Sequence, residues 1–215
     1  MIRPIVTVPE KRLRRQSLPV DPNDPKLPAY IQDLIDTLVN KNDPPGVGLS
    51  AIQIDNPVRI FVTLLPPVSN FETTDKDTPP AEIKVFINPE IIDKSEEMTL
   101  GPDPDNPNLE GCLSVPTLYG PVLRHHTIKV KYQALYLDDS GDSDDASRPV
   151  VSSSSRLFNK VEVFSNFFAR VIQHEYDHLN GILFTDYIIK DKEDLFFDNG
   201  HKLISIPQPK KLVTW

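Results

Sequence analysis

A single cysteine, Cys112, stands in a chain of 215 residues, which excludes a disulfide framework and leaves stability to the core and any bound metal. A lone cysteine fits a reducing compartment. It has three readings: nucleophile, metal ligand, or small buried apolar side chain. No run approaches the roughly 20 apolar residues of a membrane span. No apolar core follows the N-terminal charges as a secretory signal would require. Positive charge is not in excess. The net charge of −8 and pI near 5.1 argue against direct nucleic-acid recognition. Glycine is scarce, at 8 residues, whereas proline reaches 22, about twice its average share. The prolines gather in connections such as 22–28, 44–45, 66–67, 79–80 and 102–107, which are stiffer than glycine-rich loops.

What remains is the composition of an ordinary soluble globular protein, 39% hydrophobic and 25% charged. Residues 27–40 follow helical spacing through Leu27, Ile31, Leu34, Ile35 and Leu38, with Pro28 suited to a first turn. Stretches 58–65, 83–88, 91–100 and 157–164 read as strands. Residues 128–137 alternate, with Ile128, Val130, Tyr132, Ala134 and Tyr136 on one face and Lys129, Lys131 and Gln133 on the other. Ser165 is placed to cap a helix running to about Leu179, and Gly181 suits its left-handed end. No repeat or domain boundary interrupts the chain. The pattern predicts a single α+β domain over residues 1–215, with loop inserts at about 66–80 and 138–155.

The most specific local signal is His174-Glu175-Tyr176-Asp177-His178. Histidines four apart on a helix share one face, and two imidazoles can bind one metal while the adjacent carboxylate stays free to move protons. Phe167 and Val171 continue that face, so the histidines extend a stripe directed at the core. Two further segments stand out upstream: Gly46-Val47-Gly48-Leu49-Ser50-Ala51-Ile52-Gln53 and Glu110-Gly111-Cys112-Leu113-Ser114.

With Gln173 before His174, these three segments resemble, in order, the signature motifs of the peptide deformylases: G-x-G-L-A-A-x-Q, E-G-C-L-S and Q-H-E-x-D-H. The second and third match completely. In the first, Ser50 replaces the usual alanine; it reads as one small residue for another, with a hydroxyl bonded locally. The resemblance runs from about residue 9 to residue 186. It implies mixed or antiparallel sheets around a central metal-ligand helix, and hydrolysis of the formyl group from N-formylmethionyl peptides. It implies one divalent ion, Fe²⁺ first, with Zn²⁺, Ni²⁺ or Co²⁺ as substitutes, held by Cys112, His174 and His178. Three protein ligands leave a position open, which marks a catalytic site. Glu175 would carry protons from the water to the leaving amine, because an amine anion cannot leave unaided. By resemblance, the side chain of Gln53 and the backbone N–H of Leu113 would hold the oxyanion. Val47, Gly48, Leu49, Leu113 and Glu110 would line or support the substrate site, and Arg124 or Arg170 would pair with Glu110. Asp177 would orient a ligand or a neighbouring cation. Tyr119 stands where many members carry arginine.

Other readings stay open on residues alone. An H-E-x-x-H protease would need a downstream third ligand, such as His201, and would leave Cys112 unexplained. A cysteine hydrolase would need neither His178 nor Glu175. A deformylase-like scaffold with lost or altered activity would be expected to lack Gln53 or Glu175, and both are present. A bacterial cytoplasmic location is expected. In some members of the family that the chain resembles, the C-terminal segment contacts the ribosome, and Lys210 and Lys211 in the tail fit such a transient contact here.

Overall fold

The computed structural model describes residues 1–65, 81–100, 109–136, 151, 156–207 and 209. In chain order the elements are α1 (Leu27–Val39), β1 (Gly48–Ser50), β2 (Ile60–Leu65), β3 (Glu82–Lys94), β4 (Met98–Thr99), β5 (Glu110–Cys112) and β6 (Val115–Gly120). They continue as β7 (Arg124–His125), β8 (Thr127–Tyr136), β9 (Arg156–Ser165), α2 (Asn166–Leu179), α3 (Phe184–Asp191), β10 (Leu195–Asp198) and β11 (Leu203–Ile206). The inserts expected at 66–80 and 138–155, and the lysines of the tail, fall outside the described residues, apart from Val151.

The run Ile60-Phe61-Val62 shows why β2 is apolar on both sides. Successive side chains of a strand point to opposite faces. Ile60 and Val62, with Val85 and Ile87 of β3, share a core with the buried Ile31, Leu34, Ile35 and Leu38 of α1. Phe61 and Phe86 point the other way, stack on each other with ring centroids 4.5 Å apart, and meet Phe168, Ala169 and Ile172 of α2. The sheet, ordered β1-β2-β3-β8-β9, thus lies between two helices. All its neighbours pair antiparallel. The expected alternation in β8 holds for Ile128, Val130, Tyr132 and Ala134, all buried.

The two strands expected at 83–88 and 91–100 are joined differently. One strand, β3, runs through Asn88-Pro89 with register shifts between Ile87 and Glu90 and between Ile91 and Asp93. Asn88 takes a left-handed φ of 49°, which asparagine tolerates, and its amide bonds both main-chain groups of Val20. Only Met98 and Thr99 form a separate strand, paired with β7.

A second sheet, β11-β10-β6-β5, carries Cys112 at its edge strand. Its core, built from Val115, Val122, Leu183, Phe184, Ile188 and Leu195, ties it to α3. The architecture is the α+β arrangement expected, with α2 at its centre. Ser165 holds the N-cap position of α2, yet its hydroxyl bonds Thr127 Oγ1 at 3.0 Å and caps nothing. Beyond the other end, Gly181 has φ +71°, and a Cβ there would meet the carbonyl oxygen of Arg14 at 2.4 Å.

Candidate active site

Helix α2 brings His174 and His178 to one buried face, and the end of β5 brings Cys112 against them. Their ligand atoms lie within 4.8 Å of one another. Cys112 Sγ is 3.2 Å from His178 Nε2, and it accepts from the backbone N–H of Ser114 at 3.4 Å and from Gln53 Nε2 at 3.6 Å. Burial, with His174 adding to it, holds His178 well below its ordinary pKa and so favours the neutral imidazole a metal requires. His174 is pulled the opposite way: burial disfavours its charge, but Glu110 and Cys112 outweigh that and raise it. One sulfur and two imidazole nitrogens fit a borderline or soft divalent ion. His201, the alternative third ligand, is exposed beside β11 and takes no part.

Behind the cluster lies a buried polar network. Glu110 Oε1 is 2.6 Å from His174 Nδ1 and 2.5 Å from Arg124 Nη2. Arg124 also reaches Asp177 at 2.5 Å, and Arg170 reaches Glu110 at 3.3 Å. Burial works against the charge on Glu110, but Arg124 and His174 overcome it and hold its carboxyl well below the usual range. Both expected partners of Glu110 are present. Glu110 also lines the cavity over the site, and its carboxylate there is engaged by His174 and the two arginines.

Glu175 faces the other side of the site. Burial pushes its carboxyl up to about 7, against His174 and Ser50, which favour the charged form. A group that titrates near neutrality can both accept and return a proton. The hydroxyl of Ser50, expected to bond locally, instead reaches across the fold: it lies 2.8 Å from Glu175 Oε2 and 2.9 Å from the Glu175 carbonyl oxygen. Gln53 has two roles at once. Its Oε1 accepts from the backbone N–H of Ser50 at 2.8 Å, and its Nε2 donates to Ser114 Oγ at 3.1 Å on the Cys112 side.

A cavity of about 520 Å³ opens over these groups, lined by Val47, Gly48, Gln53, Cys112, Leu113 and Glu175 among others. Leu49 is not on that wall. It is fully buried in the core beside α1, because alternation along β1 sends Gly48 and Ser50 toward Glu175 and Leu49 away from it. Tyr119 is a lining residue, as are Phe167, Val171 and, from the C-terminal hairpin, Asp198 and Gly200. The hairpin's share had no sequence signal, since its short strands carry no motif.

A profile of the polypeptide deformylase family matches residues 2–140 and 149–194. The chain belongs to this family. It is 35% identical over 193 residues to the peptide deformylase of Afipia carboxidovorans, covering 90% of each chain. It is 34% identical over 212 residues to that of Mesorhizobium japonicum, covering 99% of this chain and 98% of the relative. Among solved structures, it resembles the Met-Ala-Ser-bound class I type b peptide deformylase of Acinetobacter baumannii, with a TM-score of 0.62 and 32% identity over 87% of this chain and 99% of that one. A probable peptide deformylase from Synechococcus phage S-SSM7 aligns with a TM-score of 0.60 and 31% identity, over 86% of this chain and 99% of the phage chain.

Proposed function

We infer that this chain hydrolyses the formyl group from peptides that begin with N-formylmethionine, using one divalent ion held by Cys112, His174 and His178. The observation that carries this reading is the meeting of those three ligand atoms beneath a cavity that also contains Glu175 and Gln53. Bound there, a divalent ion supplies Lewis acidity, lowering the pKa of water and polarising the formyl oxygen. Membership of the family makes Fe²⁺ the expected ion, with Zn²⁺, Ni²⁺ and Co²⁺ as substitutes, and a donor set of one thiolate and two imidazoles accommodates any of these borderline ions.

The chain's own residues do the rest. Glu175 takes a proton from water and delivers it to the amine nitrogen, so that formate and a free peptide amine separate. Gln53 Nε2 and the N–H of Leu113 donate to the oxygen that gains charge when the formyl carbon becomes tetrahedral. Val47 and Leu113 give the methionine side chain apolar walls, and Gly48 lets the peptide approach closely. Glu110 and Asp177 act behind the site, holding His174 and Arg124. A relative crystallised with Met-Ala-Ser supports a short peptide beginning with methionine as the occupant of this cavity.

We also propose a cytoplasmic setting and a transient ribosome contact through the basic tail. No described helix is long and apolar enough to cross a membrane. Formate release from formyl-Met-Ala-Ser by protein purified without oxygen tests the main reading. Activity should vanish with a chelator and with Glu175→Ala, while that variant keeps its metal. A folded, metal-loaded protein that releases no formate would overturn it.

A further inference from the structure

Ser50 departs from the family's usual alanine at a position with 0% exposure, and its hydroxyl reaches 125 residues along the chain to Glu175. We propose that Ser50 is a positioning residue for Glu175, anchoring Oε2 so that Oε1 is held beside Gly48 on the cavity side; this rests on the reading of Glu175 as the proton carrier.

The geometry argues for it in three steps. First, Gly48 and Ser50 lie on the same face of β1, two residues apart, and each addresses one oxygen of the same carboxylate. Oε2 is 2.8 Å from the Ser50 hydroxyl, and Oε1 lies 2.5 Å from where a Cβ on Gly48 would be. Second, Ser50 is itself fixed. Its N–H donates to Gln53 at 2.8 Å, and its backbone pairs with Phe61 of β2. The main chain that carries the hydroxyl is therefore anchored independently of the glutamate. Third, the same hydroxyl sits 2.9 Å from the Glu175 carbonyl oxygen, so it engages the main chain and the side-chain tip of one residue. Its single proton is shared between these two acceptors.

Glutamate otherwise has three rotatable bonds between helix and carboxylate. Among the described residues, Ser50 supplies the side-chain hydrogen bond that fixes the far end. An alanine there would leave Oε2 without this donor and free the carboxylate to sample other rotamers, which misaligns a proton carrier without touching the metal ligands.

The test is Ser50→Ala, loaded with Ni²⁺ and assayed on formyl-Met-Ala-Ser, with its crystal structure solved beside the parent. We expect kcat to fall about three- to tenfold, with KM and bound metal unchanged, and the Glu175 side chain to spread over more than one conformer. An unaltered kcat overturns the proposal. So does a single, unmoved Glu175 in the crystal, whatever the rate. A fall shared by KM or metal content also overturns it, because Ser50 would then support the whole cleft. Glu175→Gln separates the two levels. A drop of at least about a hundredfold there, with Ser50→Ala unchanged, removes only the role of Ser50. A small drop in Glu175→Gln removes the proton-carrier reading itself.

Discussion

Glu110 Oε1 and His174 Nδ1 meet at 2.6 Å, both side chains nearly sealed from solvent. The bond fixes which nitrogen of His174 remains for a metal, since a donating Nδ1–H leaves Nε2 as the ligand. It also places a negative charge behind an imidazole that must push electron density forward. Two arginines, Arg124 and Arg170, balance that charge.

Glu110→Gln should therefore weaken metal binding about 10- to 100-fold. It should also lower folding stability, because Arg124 and Arg170 lose a buried counter-ion, a change on the order of 3–5 kcal/mol. Competition against a chelator of known affinity measures the first effect and urea unfolding the second. Unchanged metal affinity in a destabilised protein would show that Glu110 supports the fold but not the ligand.

Gly48→Ala fills the space reserved for Glu175. The added Cβ would lie 2.5 Å from Oε1 and 2.9 Å from Cδ, so the carboxylate must move. The metal ligands come from α2 and the end of β5 and are untouched. Activity should fall about 100-fold with the metal retained at full occupancy. Steady-state kinetics with metal analysis on the same sample decides it, and near-normal kcat would show that Glu175 tolerates displacement.

Much of the site was legible because its chemistry is carried by short motifs. His174, Glu175 and His178 announce themselves by helical spacing, and Cys112 stands out as the sole cysteine. The pairing of Glu110 with Arg124 and Arg170 was accessible as a guess about charge balance. What escaped depends on strand direction. Leu49 sits between two residues that face Glu175, yet points into the core, because alternation in a three-residue strand cannot be phased without its partners. The long reach of the Ser50 hydroxyl was hidden as well, because its partner is 125 residues away. The passage of β3 through Asn88-Pro89 was hidden by two residues that ordinarily end strands, and it became visible only through the contacts of Asn88 with Val20.

Removing the metal should destabilise the fold as well as stop turnover. At a thousandfold excess over its dissociation constant, a single ion adds about 4 kcal/mol to the folded state. For a chain of this size, that corresponds to a fall in Tm of roughly 10 °C on chelation. Calorimetry with and without chelator measures it, and Cys112→Ala should already show the lower value and respond little to chelator. An equal response in that variant would place the stabilising ion elsewhere.

Acid should expose a second electrostatic contribution, far from the site, at Glu162 on β9. Its carboxylate accepts from Tyr132 Oη at 2.7 Å and pairs with Lys160 at 2.9 Å and, more loosely, Lys84 at 3.9 Å. Burial raises its pKa, but Lys160, Tyr132 and Lys84 outweigh this, and the net shift is downward. A carboxyl lowered on folding stabilises above its unfolded pKa and loses that contribution as pH falls through the folded value. Glu162→Gln should therefore be less stable than the parent at pH 7, with the two converging as the pH falls from about 5 to below 4. Because the lysines are partly exposed, the gap at neutral pH should be small, at most about 1 kcal/mol. Urea unfolding of both metal-free proteins across this range measures it. A gap that persists undiminished at low pH would mean that the glutamate acts through packing on Tyr132, since only an ionic contribution disappears on protonation.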